Sequence, residues 1–487
     1  MFKRLLAIAA VLTVLLLAVM AWNAARVAPM PVAATTLPAL AIDAEASATR
    51  LAGAIAFATV SRDDAPGADA AALAGLAAYL QAHFPRVYGK LDHETLPGGS
   101  LLLRWPGRDA AAKPLLLAAH LDVVPADAEG WTHPPFAGVV AGGFVWGRGA
   151  LDDKSAVLAQ HEAVDALLAS GFAPASDVYF AFGHDEEVGG TTGAAAIAAT
   201  LKARGVRLGC VLDEGSFVFD GVLAVARRPV ALIGIAEKGE FSVELEAHGA
   251  GGHAALPAPD NPVAAIARAL AKVDAAPFPT RATTATRALI DALAPETSGA
   301  TRLLMANRWL AERLLVRSLA GGRLTSAMVR TTAAPSVLAA GEKDNVIPRR
   351  AVARMNVRLL DGDDSAGVLR TLREAIDDPN VDLRALPPVH EPSPVSRTDG
   401  AAWQSVAGAA AAVFPDAAIV PGQVIATTDA RHYVAIADQL YRFLPMRMRP
   451  EDVSRVHGRD ERIAVAAHAD AIRFYAAVIA GWTGAND

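Results

Sequence analysis

Carboxylates and imidazoles gather in a few short, glycine-bounded stretches of this sequence. The first is His120-Leu121-Asp122, at the end of the apolar run Pro114–Ala119. Residues i and i+2 of a strand face the same side. Asp122 therefore sits beside His120, where a carboxylate can fix the tautomer of a metal-bound imidazole. Taken alone, the pair fits a hydrogen-bonded surface histidine equally well. The second stretch is Gly147-Arg148-Gly149-Ala150-Leu151-Asp152-Asp153-Lys154, where glycines free a tight turn. A helix N-cap accounts for one of its aspartates but not both. The third is Gly183-His184-Asp185-Glu186-Glu187-Val188-Gly189-Gly190. Consecutive acids at a strand's C-terminal end repel one another unless a cation sits among them, and ligands of open α/β sheets bind at that end. A solvated acidic loop is the alternative. Asp213-Glu214-Gly215 repeats the arrangement after Val211-Leu212, and His457 lies in a polar loop before the last helix. A His/Asp/Glu set without cysteine suits zinc, cobalt or manganese.

These groups need a scaffold that delivers them to one edge. Pro114–His120 is a short continuous apolar run, as expected of a strand buried on both faces, and Asp177–Phe182 and Val206–Leu212 are also read as strands. Ser155–Ser170 has helical spacing and stops at Gly171. The alternation predicts an α/β fold with a mostly parallel sheet. Near Ala231 the pattern changes. Phe241–Ala247 and Ala351–Leu359 alternate with period two, Val263–Val273 and Asp364–Ile376 read as helices, and Val381–Leu386 closes the set. This is a β-α-β-β-α-β unit, interrupted by helical sequence at about 281–332, and α/β character returns after Pro392. The expected organisation is a catalytic domain in two parts, 44–231 and 390–487, with an α+β unit at 232–389 inserted between them.

The chain has 487 residues, ample for a large core, and its 45 basic and 51 acidic residues leave a net charge of −6. That balance carries no nucleic-acid footprint, and 53% hydrophobic residues exclude disorder as the main state. Cys210 is the single cysteine, which excludes internal disulfides and cysteine-rich zinc modules. After Lys3-Arg4 an apolar run from Leu5 to Trp22 would span about 27 Å as a helix, the short edge of what crosses a bilayer. Residues 1–25 are expected to be a membrane anchor or a cleaved signal. Either would export the body behind an Ala/Pro/Thr-rich linker at 26–43.

The motifs from His120 to Gly193 resemble the aminoacylase and carboxypeptidase S family of dinuclear zinc metallopeptidases. The likeness continues through Gly251-Gly252-His253, Asn345-Val346-Ile347-Pro348, Arg358, Thr428-Asp429-Ala430-Arg431 and His457-Gly458. It is strongest to the branch with carboxypeptidase S and secreted N-fatty-acyl amino acid hydrolases. The resemblance implies a zinc-peptidase domain carrying an α+β lid and dimerisation domain, and hence a homodimer. It implies two zinc ions, with cobalt or manganese as substitutes. His120 and Asp213 would bind one, Glu187 and His457 the other, and Asp152 both. Glu186 would be the general base and Asp122 would orient His120. His253 would stabilise the oxyanion, and Asn345 and Arg358 would bind the substrate's terminal carboxylate. The implied substrate is a small peptide or an N-acyl amino acid. The competing class, a binding or scaffold protein that lost its chemistry, would lack a ligand or base, and none is missing. His133, His161, His184 and His432 read as packing or hydrogen-bonding residues, and Ser216 has no nucleophile elbow around it.

Overall fold

The computed structural model describes residues 1–62, 69–257, 259–275 and 278–484. Among them a ten-stranded mixed sheet forms the centre. Its parallel heart is Val178–Gly183, Leu115–His120, Cys210–Asp213 and Leu440–Arg442, side by side in that order. Each of these strands is buried throughout. Alternate residues serve two cores. Leu115, Leu117 and Ala119 pack under the helices Lys154–Ala169 and Val465–Gly484, while Leu116 and Ala118 pack beneath the helix Ala194–Ala203. Burial on both faces is why the sequence shows unbroken apolar runs. Antiparallel strands Asp92–Thr95 and Leu101–Trp105 finish one side.

Val230–Glu237 still belongs to this sheet, paired with Ala418–Val424. The chain leaves it at Lys238, several residues later than the boundary expected at 231. Eight uninterrupted buried residues in that strand read as a change of pattern although they extend the first core. A second, antiparallel sheet follows in the order Thr332–Ala340, Arg350–Leu359, Gly239–His248, Val381–His390. Phe241, Val243 and Leu245 face the helices Pro262–Ala275 and Ser365–Ile376, together with Met355 and Val357. On the outer face Glu244 lies between Arg354, at 2.8 Å, and Arg384.

The helices between the two halves of this unit, Thr284–Leu293, Gly299–Met305, Arg308–Leu319 and Arg323–Ala327, do not extend its core. Leu289, Ile290, Leu293 and Leu315 pack on Leu232 and Val420 of the first sheet. Residues 27–43 have no regular secondary structure, yet they are not a free tether. Val32, Leu40 and Ile42 pack on the main core, and Thr35 donates its N–H to the Gly408 carbonyl. The helix Phe2–Arg26 has a mean hydropathy of 2.7 over its most apolar 18 residues and buries only Met20.

Candidate metal centre

His120 ends a central strand, and its imidazole is held on both sides. Nδ1 lies 2.9 Å from the Asp122 carbonyl and 3.4 Å from its carboxylate. Nε2 lies 2.8 Å from Asp152 Oδ1 and 3.6 Å from Glu214 Oε1. Burial opposes a charge on this ring, but Glu214, Asp122 and Asp152 outweigh it and raise its pKa well above the ordinary value. The other oxygen of Asp152 is 3.0 Å from His457 Nε2, which is 3.2 Å from Glu187 Oε2. Hydrogen bonds to Asp152 and then Glu187 raise the His457 pKa to about 10. Two groups of donors thus share Asp152, one with His120 and Glu214, the other with Glu187 and His457.

Asp152 is set by a residue whose role the sequence did not signal. Glu461 is fully buried, and its Oε1 accepts the backbone N–H groups of Gly149, Leu151 and Asp152 at 3.0, 2.7 and 3.1 Å. Its Oε2 accepts from Arg148 Nη1 at 2.5 Å, and Arg148 Nη2 donates to the His457 carbonyl at 3.2 Å. One buried ion pair therefore fixes the loops of two donors, Asp152 and His457. In sequence Glu461 looks like any acid in the polar loop Arg459-Asp460-Glu461-Arg462. Gly147 permits the approach, with φ of +146°. A Cβ there would lie 2.4 Å from Ile55 Cγ2.

Asp122 performs the matching task for the acidic turn. Its carboxylate accepts the N–H groups of Glu186 and Glu187 at 3.1 and 3.2 Å and the Ser61 hydroxyl at 2.7 Å. The Glu186 carboxylate lies with His120 and Glu214, their ligand atoms all within 4.8 Å of one another. Burial, countered by His120 and reinforced by Asp429 and Glu187, raises the Glu186 pKa well above the usual carboxylate range. Burial and the Asp152 charge raise the Glu187 pKa as well, and carry that of Glu214 well above the carboxylate range. So many buried acids with raised pKa values in one pocket match the donor set of a hard to borderline cation.

The structure separates Asp213 from this cluster. Asp213 is still within its strand. Its carboxylate accepts the N–H groups of Glu214 and Ala430, at 2.9 and 2.5 Å, which turns it toward the Asp429–Tyr433 helical turn. Glu214 is the first residue beyond the strand and reaches His120. The sequence places both acids side by side, and only the strand's last hydrogen bonds distinguish them. Asp153 starts the helix Lys154–Ala169 without capping it, and its carboxylate is buried.

Of the expected substrate residues, Arg358 approaches the centre. Its guanidinium pairs with Glu240 at 2.8 Å and bonds Asn356 and Thr427. Burial lowers its pKa, and Glu186 and Arg431 act on its charge. His253 and Asn345 lie together on the exposed ribbon formed by Gly252–His253 and Val346–Ile347, where Asn345 O accepts from the Ala254 N–H. Among the described residues no hydrogen bond or ion pair joins either of them to the cluster. Arg431 closes the motif Thr428-Asp429-Ala430-Arg431 and lies near Arg358. Its Nη2 donates to the Gly189 carbonyl at 2.8 Å, while Nε and Nη1 are buried without a hydrogen-bond partner among the described residues.

The sequence model of "Peptidase family M20/M25/M40" matches residues 116–481. The chain belongs to this family. It is 36% identical to a probable carboxypeptidase S-like 2 of Dictyostelium discoideum over 400 residues, covering 82% of this chain and 77% of that one. It is also 36% identical to the N-fatty-acyl-amino acid synthase/hydrolase PM20D1 of Mus musculus, over 87% of this chain and 85% of the relative. Carboxypeptidase S of Saccharomyces cerevisiae is 29% identical over 81% and 76% of the two chains. The fold is shared with the M20 family metallo-carboxypeptidase Sso-CP2 of Sulfolobus solfataricus, at a TM-score of 0.65 and 17% identity over 90% of this chain and 99% of that one. Human carnosine dipeptidase 1 superposes with a TM-score of 0.64 at 16% identity, over 91% and 96%. The chain is accordingly a hydrolase of a metal-dependent peptidase family.

Proposed function

We propose that this protein is an exported, dinuclear amidohydrolase. It cleaves the amide on the amino side of a C-terminal amino acid, in N-acyl amino acids and peptides. The observation that carries the reading is the pair of donor groups sharing Asp152, with the uncommitted acid Glu186 beside them. His120, Glu214 and Asp152 would hold one divalent ion, and Asp152, Glu187 and His457 the other. Zinc fits best by donor chemistry, with cobalt or manganese as substitutes. When bound, such ions polarise the scissile carbonyl and acidify a water. Glu186 would accept the proton of the attacking water and pass it to the leaving amine, as a buried carboxyl with a raised pKa is suited to do. Asp122 acts by position, holding the backbone of Glu186 and Glu187.

A substrate carboxylate would be met by Arg431, whose Nη1 is free to donate to it, with the Arg358 charge nearby. Assigning His253 and Asn345 to the substrate goes with a homodimer in which the partner copy presents them. The Phe2–Arg26 helix supports a membrane anchor, with the catalytic body outside the cytoplasm, or a secreted form after cleavage. The named relatives divide between carboxypeptidases and N-fatty-acyl amino acid hydrolases. A panel of zinc-loaded assays comparing dipeptides with short- and long-chain N-acyl amino acids tests this reading. Release of the C-terminal amino acid, abolished by a chelator and restored by zinc, is expected. Turnover that survives complete metal removal would refute it.

A further inference from the structure

A cavity of about 570 Å³ lies within the inserted helices. Leu289, Leu293, Leu304, Met305, Leu315 and Met328 form much of its wall. Leu232 of the first sheet and the segment Val222–Val225 complete it. Among the described residues its lining includes no ionisable side chain, and of these residues only Thr301, Ser318 and Thr325 bring hydroxyls into the hydrocarbon. A space of this size falls within the range of roughly 300–1,000 Å³ usual for ligand sites. Ordered water needs two to four polar partners, which these walls do not supply. The chemistry that fits is an aliphatic chain.

A second observation gives the direction from which such a chain arrives. The end of the apolar N-terminal helix is fastened to the same insert. Asn307 Nδ2 donates to the Met20 carbonyl at 2.9 Å, Asn23 Nδ2 donates to Asn307 Oδ1 at 2.8 Å, and Arg302 Nε donates to the Ala24 carbonyl at 2.8 Å. Val27 and Met30, just beyond this helix, pack on the apolar cluster that surrounds the cavity. On the helix Arg308–Leu319, which walls the cavity, Trp309, Leu310 and Leu314 are 64%, 50% and 54% exposed. Trp309 Nε1 lies 3.3 Å from the Asn307 side chain that holds the N-terminal helix, so this apolar exterior adjoins the apolar helix. Cationic Arg313 and Arg317 on the same helix are exposed as well. An apolar outer face with basic flanks, at the foot of a helix long enough to cross a bilayer, suits an interface with lipid.

We propose that the cavity binds the unbranched aliphatic chain of a single-chain amphiphile, taken up from the bilayer that holds the N-terminal helix. Its wall begins eight residues after Glu214, so the segment that leaves the candidate metal centre also builds the cavity. The chain can come from the acyl group of the substrate or from a monoacyl lipid.

Both are separated by one experiment on the full-length protein in lipid nanodiscs. Palmitate carrying a terminal diazirine is photolysed in the sample and the labelled peptides are mapped. Label is expected to concentrate in residues 222–225 and 301–319. It should fall about fivefold or more in Leu304→Trp, which fills the cavity from its wall, and in Ser318→Trp, which does so from its exposed rim. That loss corresponds to little more than one methylene, each worth roughly fourfold in affinity. Label spread evenly over the surface, or unchanged in both variants, overturns the proposal. The second arm compares KM for N-palmitoyl- and N-acetyl-phenylalanine, and it alone rests on the hydrolase reading. A KM raised about tenfold for the palmitoyl compound only assigns the cavity to the substrate's acyl group. Equal KM values in variants and parent, with label lost, assign it to a lipid. A parent protein that hydrolyses neither compound, nor any dipeptide of the panel, refutes the hydrolase reading and leaves the labelling result to decide the cavity.

Discussion

At the residue scale, adjacent acids with the same side-chain chemistry do different work. Asp213 spends its two oxygens on backbone N–H groups at the base of the pocket, whereas Glu214 keeps a carboxylate oxygen 3.6 Å from His120 Nε2. Replacing a ligand removes a donor outright, while replacing a supporting group weakens affinity by about 10–100-fold. On the proposed two-ion reading, Glu214→Gln is expected to lose one ion on gel filtration, and Asp213→Asn to keep both with weakened hold. Metal content by mass spectrometry checks this, and the opposite ranking would restore Asp213 as the ligand. Much of the cluster was legible from sequence, because His120, Asp152 and Glu187 each follow a buried strand or a glycine turn. Glu461 was not. A buried acid that serves only backbone N–H groups and one arginine leaves no local pattern, and its partners Gly149 and Asp152 are about three hundred residues away in the chain.

At the element scale, the helices that cover the sheet carry imidazoles kept neutral by their packing. His468, in the helix Val465–Gly484, is fully buried, and among the described residues neither ring nitrogen has a hydrogen-bond partner. Burial, helped by the Arg50 charge, lowers its pKa to about 4. His161, stacked on Phe182, is likewise lowered to about 4 by burial. The unfolded chain takes up a proton on each ring near pH 6.5 and the folded chain only near pH 4. Stability is therefore full above pH 6.5 and falls as pH drops through that interval, by about 3 kcal/mol for each ring. His468→Leu should retain stability at pH 7.5 and lose less of it at pH 5 than the parent, as followed by urea unfolding. Parallel losses in the two proteins would show that His468 does not titrate in this way. The elements themselves were readable because both sheets have simple periodicity, unbroken in Leu115–His120 and alternating in Gly239–His248. What periodicity could not supply was the neighbour of each element. The inserted helices follow the second sheet in sequence but bury Leu289 and Leu315 against the first.

At the scale of the whole molecule, two sheets meet where the chain passes between them. Lys238, at the crossing, donates to the carbonyls of Ala327 and Arg330 at 3.1 and 2.9 Å, and Thr427 bridges Glu240 and Arg358. These contacts hold the second sheet, the inserted helices and the acidic pocket in one arrangement, with Arg358 and Arg431 close enough to Glu186 for their charges to act on one another. The acids that contribute to the net charge of −6 are in part concentrated in the candidate metal centre, among Asp152, Glu186, Glu187 and Glu214. The central claim is that Glu186 moves the proton while its neighbours hold metal. It is tested by measuring turnover and metal content together on Glu186→Gln in the full-length protein. Turnover is expected to fall by about 10²–10⁴-fold with the ions retained, whereas turnover close to that of the parent protein, with the ions in place, would contradict it.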